Sequence, residues 1–110
     1  MVVDAHTFEV RSRREGRWIV VAPCGEVDLA TAGALRDELE RLVQGGYREV
    51  MVDLARVTFM DVAGLRALIV GRDTLSAAGG ELSIGNQSQP VRRLLEVAGM
   101  THLARSAPPV

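Results

Sequence analysis

The segment over residues 48–68, REVMVDLARVTFMDVAGLRAL, constrains the fold more than any other part of the chain. Residues 50–54 carry apolar side chains on both faces of an alternating run, which is typical of a strand covered on both faces in a parallel sheet. The apolar run extends through Met60 to Asp61, and a helical period begins directly after it, with Leu65 and Leu68 on one stripe. The segment therefore predicts a strand that leads straight into a helix.

The rest of the chain repeats this alternation of strands and helices. Two strands over residues 6–12 and 18–25 flank a charged turn at Gly16 and predict a hairpin, in which Pro23 indicates a bulge or a strand end. Further helices are predicted over residues 28–46 and 88–99, and a short strand over residues 81–86. The clearest helix has one apolar stripe, formed by Ala32, Leu35, Leu39 and Leu42.

The predicted order is β-β-α-β-α-β-α, which indicates an α/β fold with a small, mixed, mostly parallel β-sheet. The length of 110 residues suits a single domain over residues 1–110, with a core over about 6–104 and a loose C-terminal tail over 105–110. The single cysteine, Cys24, excludes an intramolecular disulfide and is expected to pack as a small apolar residue.

Composition argues against several classes of function. The net charge of −1 gives no reason to expect a nucleic-acid partner. No apolar run approaches the ~20 residues needed to span a bilayer, and the N-terminal residues do not form a secretory signal, so we expect a cytoplasmic protein without membrane insertion. His6 and His102 stand near opposite ends, away from any metal-ligand spacing. We expect no catalytic residue, metal or cofactor, and hence no enzyme.

Two acidic residues stand at strand-to-helix junctions, Asp28 in GEVDLAT and Asp61 in TFMDVAG. If the strands before them run parallel, both junctions lie at the carboxyl edge of the sheet, where open α/β sheets usually bind ligands. Each aspartate could instead serve only as a helix N-cap, which is worth typically ~1 kcal/mol. The sequence leaves both interpretations open.

Four blocks resemble one known family in order and spacing: GEVDLATAGALRDEL, VMVDLARVTFMDVAGLRAL, AAGGELSIGN and VRRLLEVAGM. They resemble the STAS domain, in particular the bacterial anti-sigma factor antagonists. The resemblance implies a mostly parallel sheet with helices packed on one side. It also implies a partner, namely an anti-sigma factor that is typically a histidine-kinase-like serine kinase. Binding of that partner would release a sigma factor for transcription.

In this family the kinase inactivates the antagonist by phosphorylating a serine or threonine in a D-S-[ST]-G-L motif. Here the motif is Asp61-Val62-Ala63-Gly64-Leu65, and the acceptor position is Ala63, which has no hydroxyl. We therefore expect an antagonist without the usual loop phosphorylation. The resemblance implies a partner-binding surface formed by Glu26, Asp28, Asp61, Val62, Ala63, Gly64, Leu65 and Arg66.

The loss of the acceptor also favours a second interpretation. STAS domains serve as scaffolds in signalling complexes and as regulatory subunits of ATP-driven transporters, and such roles do not need the phosphorylated hydroxyl. The sequence does not identify the partner, the regulating signal or the oligomeric state, and it does not exclude phosphorylation of a serine or threonine elsewhere.

Overall fold

The computed structural model describes residues 8–104. The predicted strand start at His6 and Thr7, and the predicted loose tail over 105–110, lie outside these residues. The elements are β1 (Glu9–Glu15), β2 (Trp18–Val27), α1 (Ala32–Gln44), β3 (Glu49–Leu54), β4 (Val57–Met60), α2 (Val62–Ala77), β5 (Glu81–Gln87), α3 (Gln89–Val97) and a final 3-10 turn (Thr101–Ala104). In the described part of the chain, no helix is long and apolar enough to cross a membrane.

The sheet is mixed and mostly parallel, which confirms the predicted fold class. Its order is β1-β2-β3-β5, and β4 also pairs with β2. The β1–β2 hairpin is antiparallel, whereas β2–β3, β2–β4 and β3–β5 are parallel. The hairpin turns at Gly16, whose φ of 63° lies in the left-handed region that glycine adopts without steric cost.

One strand is added to the predicted order. The apolar run over residues 48–60 forms two strands, because the chain turns at Ala55 and Arg56. The carboxylate of Asp53 accepts the backbone N–H of Ala55 at 3.0 Å, which is the local hydrogen bond by which aspartate favours a turn. The order is therefore β-β-α-β-β-α-β-α, and β4 extends the parallel pairing along β2 beyond the end of β3.

The predicted strand end at Pro23 is wrong, because β2 continues to Val27 and Pro23 pairs in register with Val10 of β1. On its other side, β2 pairs with β3 only as far as Val21 and with β4 only from Gly25. Proline has no N–H to donate, so it fits a position between the two parallel partners. The predicted irregularity lies next to it, as a register shift between Gly25 and Glu26.

One face of the sheet packs against the helices and forms the core. The predicted stripe of α1 is confirmed, since its four members are the buried residues of that helix. On β3, Val50, Val52 and Leu54 are fully buried, whereas Met51 and Asp53 on the other face are only half-buried. Equal burial of both faces of this strand was therefore a wrong expectation. The helices supply buried side chains to the same cluster as the sheet, including Leu35, Leu39, Leu65, Leu68, Leu75, Val91 and Leu95.

Candidate functional site

The two acidic junctions meet at one edge of the sheet. Val27, at the end of β2, pairs with Met60, at the end of β4, and the two strands are parallel. The backbone N–H of Asp61 extends this pairing by donating to the carbonyl oxygen of Val27 at 3.2 Å. Asp28 and Asp61 thus follow two paired residues, which confirms the prediction that both junctions lie at the carboxyl ends of parallel strands.

Asp61 is the N-cap of α2. Its Oδ1 accepts the backbone N–H groups of Ala63 at 2.9 Å and Gly64 at 3.3 Å. These are two of the donors that a helix start leaves without an intrahelical partner. The carboxylate is half-buried in this role, so the capping interpretation of Asp61 is confirmed as at least part of its function.

Asp28 and Thr31 fix the loop between β2 and α1 by hydrogen bonds to its backbone. Oδ1 of Asp28 accepts the N–H groups of Ala30 at 3.0 Å and Thr31 at 3.2 Å. The Thr31 hydroxyl donates to the carbonyl oxygen of Glu26 at 2.6 Å and accepts the N–H of Asp28 at 3.0 Å. Thr31 occupies the N-cap position of α1, but its side chain makes no capping hydrogen bond. The carboxylate of Asp28, three residues earlier, instead accepts the backbone N–H of Thr31.

Gly64 sets the distance between α2 and the end of β2. A Cβ atom at this position would stand 2.7 Å from Cγ of Met60, 2.8 Å from Cγ1 of Val27 and 2.9 Å from the carbonyl oxygen of Val27. A side chain would fit there only if the helix or the strand end moved, because one of the three close atoms is a backbone oxygen. The glycine of the motif therefore lets the first turn of α2 lie directly on the β2 strand.

An open hollow of about 420 Å³ lies between the first turns of α1 and α2. Two of its members are large exposed apolar side chains, since Leu29 is 86% exposed and Val62 is 64% exposed. Arg36 and Arg66 border it with exposed side chains. Its lining is Leu29, Ala32, Gly33, Arg36, Val62, Ala63, Arg66 and Ala67.

The predicted partner-binding residues fall into four groups in this geometry. Val62, Ala63 and Arg66 line the hollow, whereas Asp28 and Asp61 hold the loops beside it. Gly64 and Leu65 are buried beneath the surface. Glu26 is exposed on β2, opposite Phe59 of β4.

Leu29, Gly33 and Arg36 belong to the hollow but were not among the predicted residues. Leu29 carried no signal, because the predicted helix over residues 28–46 included it, whereas in the structure α1 begins at Ala32 and Leu29 lies in the loop before it. Arg36 carried no signal, since it is one of several charged residues off the apolar stripe of α1.

The side chains that line the hollow are apolar or positively charged. Its lining contains no nucleophile and no titratable base. Over residues 8–104, no group of three or more histidine, cysteine or acidic side chains could hold a metal ion. The exposed apolar centre and its charged rim match the usual composition of a protein–protein interface.

Comparisons with known proteins point to one family. A family model described as "Mlab, STAS domain" matches residues 10–105. The anti-sigma-B factor antagonist of Staphylococcus aureus (strain NCTC 8325 / PS 47) is 29% identical over 96 residues, which cover 87% of this chain and 89% of that protein. The anti-sigma F factor antagonist of Paenibacillus polymyxa is 28% identical over 83 residues, which cover 74% and 71%.

A solved structure shows the same fold. The crystal structure of an anti-sigma factor antagonist from Mycobacterium paratuberculosis superposes with a TM-score of 0.82 at 21% identity, and the match covers 99% of this chain and 92% of that one. The mixed sheet and its three helices are therefore an arrangement known from experiment.

Proposed function

This chain belongs to the STAS domain family, and from that membership we propose that it is an anti-sigma factor antagonist that acts by binding its partner rather than by catalysis. Two curated relatives carry the name of anti-sigma factor antagonist, and one of them aligns with most of this chain. The proposed partner is an anti-sigma factor, of the histidine-kinase-like serine kinase class that the family resemblance implies. Such a role in transcription would be carried out in the cytoplasm.

One observation supports the proposed binding surface more than any other. Val62 and Ala63, at the two hydroxyl positions of the family motif, lie together with Leu29 at one exposed hollow. Large exposed aliphatic side chains that cluster at one place favour an interaction surface over ordinary solvent contact. The proposed contact residues are the accessible members of the predicted set, extended by Leu29: Glu26, Asp28, Leu29, Asp61, Val62, Ala63 and Arg66. Gly64 and Leu65 are buried and would support this surface from beneath.

We propose further that this antagonist is not switched by phosphorylation at the family's acceptor position. A phosphate adds about −1.5 to −2 charges, and at a docking surface that charge would repel an acidic partner group and occupy the hollow. Ala63 cannot acquire it, and Val62 cannot either. The surface would then remain available for binding at all times, and the control of binding would come from the partner.

The substitution Ala63→Glu tests the surface, because it places a negative charge and extra bulk where the phosphate of the family would stand. We expect this variant to bind more weakly than the wild type when each purified anti-sigma factor of the source bacterium is titrated by calorimetry. Ala77→Glu is a matched control, since Ala77 is exposed at the other end of α2, about 21 Å along the helix axis at 1.5 Å per residue. Far-UV circular dichroism checks that both variants fold.

Two results would contradict the proposal. Equal affinity of Ala63→Glu and Ala77→Glu for the anti-sigma factor that binds wild type would exclude the hollow as the docking site.

Incubation of the wild-type protein with that anti-sigma factor and ATP, followed by mass spectrometry, tests the absence of a phosphorylation switch. A phosphate on Thr58, the nearest hydroxyl before the motif, together with loss of binding would show that the protein is regulated after all.

The missing hydroxyl also favours the second candidate function, a regulatory or scaffold subunit of a signalling complex or an ATP-driven transporter. Such a subunit needs a stable docking surface and no phosphorylation cycle. Purification of the tagged protein from its own bacterium separates the two functions. A small kinase or sigma regulator in the eluate supports the antagonist, whereas a transporter ATPase supports the subunit.

A further inference from the structure

The two charged side chains that line the hollow are both positive. Arg36 of α1 and Arg66 of α2 both line it with exposed side chains, and no acidic residue lines it with them. Over residues 8–104, neither guanidinium has a carboxylate oxygen within ion-pair distance. The first turns of both helices also lack an acidic residue. Within residues 8–104, neither arginine is therefore held in an ion pair.

Three acidic side chains near this edge of the sheet hydrogen-bond to groups other than the two arginines. The carboxylates of Asp28 and Asp61 accept backbone N–H groups at the starts of the helices. Glu40, one helical turn after Arg36, accepts a hydrogen bond from the side chain of Gln44. The sequence places acidic residues at this edge of the sheet, but the structure gives the hollow a positive rim.

A protein that covers Leu29 and Val62 must also cover part of these guanidinium groups, because they border the same hollow. A cation that loses water at an interface destabilises the complex unless it is paired and hydrogen-bonded. The planar guanidinium suits a carboxylate, to which it donates two parallel hydrogen bonds. A partner without acidic groups at these two positions would leave both charges desolvated and unpaired.

We propose that the docking surface of the partner carries carboxylates on both sides of an apolar contact, one facing Arg36 and the other facing Arg66. This inference rests on the proposed function, because it describes the partner that would occupy the same site. The two charge pairs also give the complex its orientation, since each arginine lies on a different helix. Association should then be faster and tighter at low salt, because surface charges are screened over about 10 Å at 0.1 M ionic strength.

The test uses charge reversal in the full chain. The variants Arg36→Glu and Arg66→Glu are compared with the wild type by calorimetric titration against each purified anti-sigma factor of the source bacterium, at two salt concentrations. We expect each single variant to lower affinity about tenfold at low salt, as like charges then face each other across the interface. We expect the wild type, but not the double variant, to lose affinity as salt increases.

Arg17→Glu is the matched control, because Arg17 is 71% exposed and stands at the opposite end of β2 from the hollow. Its ion pair with Glu49 lies at the surface, where such pairs contribute about 0–1 kcal/mol. If a reversed variant fails to fold by circular dichroism, the neutral variants Arg36→Gln and Arg66→Gln replace it, with a smaller loss expected.

The possible outcomes separate this inference from the proposed function. In one outcome, an anti-sigma factor binds the wild type, binds Ala63→Glu more weakly, and binds both arginine variants as tightly as the wild type. This result would overturn the acidic partner surface and leave the antagonist function intact. If no anti-sigma factor binds the wild type, the proposed function fails and the inference fails with it. A loss of affinity in Arg36→Glu and Arg66→Glu that exceeds the loss in Arg17→Glu supports the charge pairing.

Discussion

The substitution Gly64→Ala tests whether the first turn of α2 depends on direct contact with β2. The new methyl group would stand less than 3 Å from three heavy atoms, and one of them is the carbonyl oxygen of Val27. That oxygen cannot rotate away, because it accepts the N–H of Asp61 and so holds the two strand ends together. The α2 helix must therefore move outward, or the strand end must shift.

The size of the effect follows from two opposing contributions. Extra volume in a packed core costs about 1–3 kcal/mol, whereas the exchange of glycine for alanine in a helix returns up to about 1 kcal/mol. We expect a net loss of about 1–2 kcal/mol in the free energy of unfolding. Gly33→Ala is the matched control, because Gly33 lies in the first turn of α1 with no atom within 4 Å of the added Cβ. That variant should be more stable than wild type by about 0.4–1 kcal/mol.

Urea denaturation of the three proteins, followed by circular dichroism, measures both effects in one experiment. Thermal melting provides a second measure, with a shift of about 4 °C expected for each kcal/mol in a chain of this size. A Gly64→Ala protein as stable as Gly33→Ala would refute the reasoning, since the helix would then have room that the contact distances deny. A uniform loss in both variants would point to the backbone conformation of glycine instead of close packing.

Three further predictions concern side chains whose partners the structure identifies. Asp61→Ala should lower the free energy of unfolding by about 1 kcal/mol, whereas Asp61→Asn keeps a capping oxygen and should lose little, as measured by urea denaturation. Thr31→Val should cost about 1 kcal/mol, because it removes the hydroxyl that ties Glu26 to the loop, and amide hydrogen exchange should become faster in residues 28–32. The hydrogen bonds from Arg41 and Ser12 lower the pKa of Glu38 below its ordinary value of 4.5. This stabilisation is full above pH 4.5 and is lost as the pH falls through the lowered pKa, so Glu38→Gln should destabilise the protein at pH 7 and not in strong acid.

The sequence predicted the helices well because their signals are redundant. The stripe of α1 repeats four times, and glycines follow the C-terminal turns of α1 and α2, where Gly46 and Gly79 have positive φ. The division between β3 and β4 was missed because Ala55 and Arg56 carry no turn signal of their own. The turn depends on the carboxylate of Asp53, two residues before Ala55. In an alternating strand pattern Asp53 is interpreted only as an outward-facing residue, so its role in the turn was not predicted.

The candidate site was predicted in part, and the missing part has one physical cause. Asp28 and Asp61 were expected at one sheet edge, and they lie there because β2 and β4 are parallel and in register. Arg36 was missed because its place at the hollow depends on the packing of α1 beside α2, which no local pattern encodes. Helix packing of this kind brings together residues about thirty positions apart, and a single sequence shows only the period of each helix.

The same geometry explains how the junction between β4 and α2 at Asp61 can keep its shape without the family's hydroxyl. The N-cap bonds of α2 run from the backbone N–H groups of Ala63 and Gly64 to the Asp61 carboxylate. The close approach to Val27 depends on the absence of a side chain at Gly64. Neither support involves the side chain at position 62 or 63. Val62 is exposed, whereas Ala63 is half-buried and packs against the core, so position 63 favours a small side chain. In this chain both have become apolar, which fits a surface that binds continuously and requires the aspartate and the glycine, but not a serine, to hold it in place.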